Sequence, residues 1–158
     1  MALREIRIDG DEILSKTSKP VVAVDEKINI LIDDMLETMY NAGGCGLAAV
    51  QVGVLRRVFV MDDSEDGDSP VVVINPEVII AKGKQEGQEA CLSVPGYAGD
   101  VTRPKFVDVK YLNRKGQEVE GRFEDRLCII FHHELDHLNG ILYTERASEV
   151  YEVEKDEN

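Results

Sequence analysis

"KFVDVKYLNRKGQEVEGRFEDRLCIIFHHELDHLNG", residues 105–140, changes its period partway along. Up to Glu124, apolar and polar residues alternate on either side of "NRKG" (113–116), where Gly116 suits a tight connection. This pattern predicts a β-hairpin over 105–112 and 117–124. Beyond it the spacing becomes helical over 125–139, and Gly140 ends that helix as the first residue past it. Upstream, "RRVFVM" (56–61) and "PVVVINPEVII" (70–80) are rich in β-branched residues and flank an acidic, Gly-containing turn at 62–69. They read as two more strands of one sheet, with Pro76 demanding an edge or a bulge. Nearer the start, Asp25 is a candidate N-cap for a helix whose Ile28, Leu31, Ile32, Met35 and Met39 form one apolar stripe. "NAGG" (41–44) stops it. The order helix, strands, helix predicts an α+β fold in which the second helix covers the sheet.

Composition narrows the function classes. The 158 residues suit one domain, able to bury roughly 70% of the surface of its unfolded chain. No apolar run approaches the roughly 18 residues of a membrane span, and the charged "MALREIRIDGDE" lacks a secretory signal's features. A soluble protein is expected, in the cytoplasm or in an organelle if a transit segment has been trimmed. Eighteen basic against 31 acidic residues give a net charge of −13, which repels nucleic acid and anionic membrane. The acids concentrate in "DDSEDGDS" and in "SEVYEVEKDEN", both expected as solvated segments, and this places a domain at 1–147 and an acidic tail at 148–158. Cys45, Cys91 and Cys128 are odd in number and read as thiols.

All three histidines of the chain fall within "HHELDH" (132–137). His133 and His137 stand at i and i+4 and share a helix face, close enough to grip one metal ion. Glu134 beside them is placed to act as general base, the HExxH arrangement. His132 and Asp136 lie about 100° around the helix, so one ion cannot use both pairs. Asp136 is expected in an ion pair and His132 in packing or hydrogen bonding. Ile129, Ile130 and Arg126 precede His133 on its face, which should line a pocket.

Two histidines leave a catalytic site one ligand short. The third can come from Cys91 in "QEACLSVPGY", in what reads as a shaped loop, or from a downstream carboxylate such as Glu145. Small residues fill "GCGLAAVQVG" (44–53). Either this backbone passes close to something bulky and offers its amides, or it is a helix terminus packed on a sheet.

Three separated stretches together resemble the peptide deformylase family: "GCGLAAVQ" (44–51), "EACLS" (89–93) and "HELDH" (133–137) stand for GxGLAAxQ, EGCLS and HExDH in the same order. The resemblance implies antiparallel sheets around a central metal-binding helix. It makes Cys91, His133 and His137 the metal ligands and Glu134 the acid/base that takes a proton from water. Gln51 and the Leu92 amide then polarise the formyl oxygen. Gly46 would pair with substrate backbone, while Cys45, Ile129 and Ile130 line the pocket for the methionine side chain, with Arg126 at its mouth or in solvent. The implied cofactor is one divalent ion, Fe(II) in the cell, replaceable by Zn(II), Ni(II) or Co(II). Formylmethionine-initiated polypeptides are the implied substrates, and the ribosome near its exit tunnel is a candidate partner. Two positions depart from the family pattern. Ala90 replaces a glycine and His132 a glutamine, so Cys91 would be displaced if position 90 needed a positive φ.

Overall fold

Asp25 opens the first helix as its position predicts. In the computed structural model, which describes residues 2–153, the Asp25 carboxylate accepts from the Ile28 amide at 3.0 Å at the start of α1 (Glu26–Asn41). Ile32, Met35 and Met39 are fully buried along one stripe. Each such side chain taken out of water contributes about 1.5–3 kcal/mol.

The strands that follow are β1 (Gly46–Ala48), β2 (Val58–Met61), β3 (Val71–Lys82), β4 (Gln85–Cys91), β5 (Val94–Arg103), β6 (Phe106–Leu112), β7 (Glu118–Glu124) and β8 (Glu149–Glu152), with α2 (Asp125–Leu138) between β7 and β8. They make an antiparallel five-stranded sheet, β1-β2-β3-β6-β7, and a three-stranded one, β4-β5-β8. Alternation along the larger sheet gives each face its own core. Leu47, Val58, Val60 and Ile74 pack with α1, whereas Ala48, Phe59, Val73, Val107 and Phe123 pack with Cys128, Ile130 and Phe131 of α2. The other side of α2 meets the smaller sheet, through Arg103 of β5 on Asp136 and Glu89 of β4 on His133. The α+β architecture, the hairpin and the second helix agree with the sequence reading. Gly140, at φ 75, ends α2, with the Ile141 amide donating to the Asp136 carbonyl at 2.9 Å.

The smaller sheet is absent from the sequence reading. Residues 85–103 carry Pro95 and three glycines in place of a β-branched run, and their strands exist because each backbone finds an antiparallel partner. Cys91 therefore ends a strand, and Leu92 and Ser93 form the two-residue turn into β5, with Cys91 opposite Val94. Pro76 sits at a register shift between Ile74 and Glu77, beside Asn75 at φ 51. Beyond that bulge β3 pairs with β6 alone, so the bulge and edge expectations both apply. The segment expected as an acidic tail contributes β8, whose Tyr151 pairs with Ala98; residues 154–158 lie outside the described part.

The N-terminal segment is tied to α1 through Asp34, which accepts from the Ala2 amide at 2.8 Å and from Arg4 Nε at 2.9 Å. Burial opposes the ionised form, but the Ala2 amide and the Arg4 guanidinium outweigh it and hold the Asp34 pKa below its ordinary 3.8. A depressed folded-state pKa adds stability above the unfolded value, and that stability is lost as pH falls through the lower one. Asp34→Asn should therefore unfold at lower denaturant than the parent at pH 7, and the gap should narrow as the solution is taken below about pH 4.

Candidate active site

His133 and His137 project from one face of α2 with ring centroids 5.1 Å apart. The end of β4 brings Cys91 Sγ to 3.3 Å from His137 Nε2, and the donor atoms of Cys91, His133 and His137 all lie within 4.8 Å of one another. Nδ1 of His133 meets Glu89 Oε1 at 2.8 Å, which fixes the ring with its other nitrogen toward Cys91. The Tyr143 ring stacks on the same imidazole, 5.8 Å between centroids.

One sulfur and two imidazole nitrogens are a donor set suited to a divalent ion. The electrostatics agree. Burial works against charge on His133, yet hydrogen bonds to Cys91 and Glu89 hold its proton affinity well above the ordinary value. The Cys91 sulfur and the Glu89 carboxylate thus favour a cation at this point, and a proton on His133 would compete with a metal ion for it. Burial, reinforced by the positive charges of His133 and Arg103, lowers His137 well below its ordinary range and favours the neutral imidazole that a metal ligand must be.

Glu134 follows His133 into the interior. Burial pushes its pKa up to about 7, and Oε1 has no hydrogen-bond partner among the described residues. Its other oxygen explains Gly46: a Cβ there would lie 2.5 Å from Glu134 Oε2. The close approach expected of "GCGLAAVQVG" is thus to a carboxylate, and the segment forms β1 and a 3₁₀ turn over Ala49–Val52. Gln51 is buried in that turn. Its Oε1 accepts from the Ala48 amide at 2.9 Å, and its Nε2 donates to Ser93 Oγ at 3.0 Å while lying 3.6 Å from Cys91 Sγ. A cavity of about 510 Å³ opens over these groups, lined by Cys45, Gly46, Leu92, Ile129 and Ile130, with Arg126 exposed at its edge. Every site residue that the family resemblance implies lines this cavity except His137, which is fully buried.

Both departures from the family pattern are accommodated. Ala90 is exposed at a bulge in β4, and Asn75 and Asp125 are the non-glycine residues with positive φ among those described, so no strain falls on position 90. His132 turns away from the site and donates from Nδ1 to the Cys128 carbonyl at 3.0 Å. Asp136 forms the expected ion pair, with Arg103 at 2.7 Å and Arg146 at 2.9 Å. Glu145 accepts from the Leu142 amide at 2.8 Å and closes its own 3₁₀ turn, apart from the donor group. Glu89, Ser93, Arg103 and Tyr143 are the contributors that spacing did not reveal. Glu89 stands in a quoted motif, but the strand pairing that aims it is invisible in sequence.

The family model for polypeptide deformylase matches residues 3–152. The chain belongs to the polypeptide deformylase family. A peptide deformylase of Lachnoclostridium phytofermentans is 58% identical over 156 residues, which is 97% of this chain and 94% of that protein. One from Agathobacter rectalis is 52% identical over 147 residues, 93% of this chain and 91% of its own length. The crystal structure of peptide deformylase from Thermotoga maritima matches with a TM-score of 0.89 at 43% identity, covering 94% of this chain and all of that one. Members are metal-dependent hydrolases that remove the formyl group from N-terminal methionine, and the chain carries that activity.

Gly46→Ala should displace the Glu134 carboxylate while leaving the fold in place. Deformylation should fall by roughly 10- to 100-fold, the scale on which a misplaced reacting group acts, with an unchanged circular dichroism spectrum.

Proposed function

We propose that Cys91, His133 and His137 hold one divalent ion and that Glu134, Gln51 and the Leu92 amide act beside it to remove the formyl group from N-terminal formylmethionine, releasing formate. The observation that carries this assignment is the 3.3 Å approach of Cys91 Sγ to His137 Nε2 beside a buried carboxylate. When bound, the ion supplies Lewis acidity and a deprotonable water. Glu134 takes a proton from the attacking water and returns it to the departing amine, and a pKa of about 7 suits both transfers. Gln51 Nε2 and the Leu92 N–H serve as donors to the oxygen on which negative charge develops. Ser93 takes one hydrogen of Nε2 and leaves the other on the Cys91 side.

On the substrate side, Cys45, Ile129 and Ile130 receive the methionine side chain, with Arg126 at the mouth. Because β1 is an edge strand and Gly46 lines the cavity, substrate backbone adds along it as another strand. Fe(II) is the ion proposed for the cell, with Zn(II), Ni(II) and Co(II) able to replace it in this sulfur–nitrogen set. Translation makes formylated N-termini, so the cytoplasm is the proposed location and the ribosomal exit the place where substrate is met. No helix among the described residues is long and apolar enough to cross a membrane.

Glu134→Gln keeps the shape but accepts no proton, so turnover should drop by roughly 100-fold or more while metal content stays at the parent level. Cys91→Ala should lose metal and activity together; full metal content in that variant, measured by elemental analysis, contradicts the ligand assignment. Protein reconstituted anaerobically with Fe(II) should lose activity in air as iron and the Cys91 thiolate oxidise, and the Ni(II) form should not. Equal air stability of the two forms contradicts the iron proposal alone.

A further inference from the structure

We infer that Arg146, outside the cavity and outside the three motifs, is a positioning residue for the metal site. The inference rests on the reading of His133 as a ligand. From His133 a chain of alternating charges runs outward. Glu89 Oε1 takes His133 Nδ1 at 2.8 Å, and Arg103 grips Glu89 through Nε at 2.8 Å and Nη2 at 3.0 Å. Arg103 spends its remaining nitrogen, Nη1, on Asp136 Oδ2 at 2.7 Å. Asp136 is then clasped by Arg146, Nε to Oδ2 at 2.9 Å and Nη2 to Oδ1 at 3.1 Å.

The first three charges are buried, and only Arg146 reaches solvent, with 49% of its side chain exposed. Two carboxylates therefore share one buried guanidinium, and Arg146 supplies the second cation. Without it, Asp136 is left to compete with Glu89 for Arg103. A guanidinium drawn toward Asp136 loosens the fork on Glu89, and Glu89 is the group that orients the His133 ring. Arg146 lies at the end of the 3₁₀ turn Tyr143–Glu145, just ahead of β8, so the same contact fastens the C-terminal strand to the site.

The test loads each protein with Ni(II) and follows its loss to excess EDTA, alongside steady-state kinetics on a formyl-Met peptide. Arg146→Ala should lose nickel about 3- to 10-fold faster than the parent, less than the 10- to 100-fold typical of a direct partner of a ligand. Its kcat should fall at unchanged KM, because Arg146 does not line the cavity. Arg146→Lys keeps the charge without the fork and should fall between the two. Arg122→Ala, which breaks an exposed ion pair to Asp108, controls for general destabilisation and should release nickel at the parent rate. A lower melting temperature for Arg146→Ala with parental or slower nickel loss would reduce Arg146 to a structural contact and overturn the inference. His133→Ala in the same series separates the two claims. Loss of nickel there upholds the ligand reading whatever Arg146 does, and retention overturns both.

Discussion

Cys91 and His137 belong to different layers of the molecule, and the 3.3 Å between Sγ and Nε2 sets the terms for the rest. To reach that separation, β4 must end beside the middle of α2, and a helix rich in polar groups must be buried on both sides. The larger sheet meets the apolar side of α2 through Phe59, Val107 and Phe123. The smaller sheet brings a sulfur and a carboxylate to the imidazoles. Its β4 carries both, Glu89 and Cys91, two residues apart with the bulge at Ala90 between them.

Burying His133, Glu134, Asp136 and His137 in one helix is costly unless each finds a partner. Glu89, Arg103 and Arg146 satisfy two of them in a run of alternating sign, and the sulfur of Cys91 faces a third. Glu134 is left with one oxygen unpartnered among the described residues, and its burial pushes its pKa up to about 7. A carboxyl with a pKa near neutrality suits the proton transfers proposed for Glu134. Gly46 makes room for it; any side chain there meets Glu134 or Ile130.

Much of this was legible in the residues. The switch from alternation to helical spacing near Asp125, the Asp25 cap and Gly140 placed both helices and the hairpin, because each has a local physical cause. The i, i+4 histidines likewise lie within one element. The second sheet was not legible: residues 85–103 have low strand propensity, and their strands depend on pairing partners far along the chain. A structureless connection of that length, between Ile80 and Lys105, is uncommon inside a compact domain. With the sheet went Arg103 and the aim of Glu89, and β8 was hidden by its acidic composition. Cys91 as third donor came from resemblance, since spacing alone left Glu145 open.

X-ray absorption at the zinc edge of the Zn(II)-loaded protein tests the central claim most directly, because it counts donors by element. One sulfur at about 2.3 Å and two imidazole nitrogens at about 2.0–2.1 Å, completed by oxygen, is the result expected of Cys91, His133 and His137. A shell without sulfur, or with two sulfurs, would contradict it.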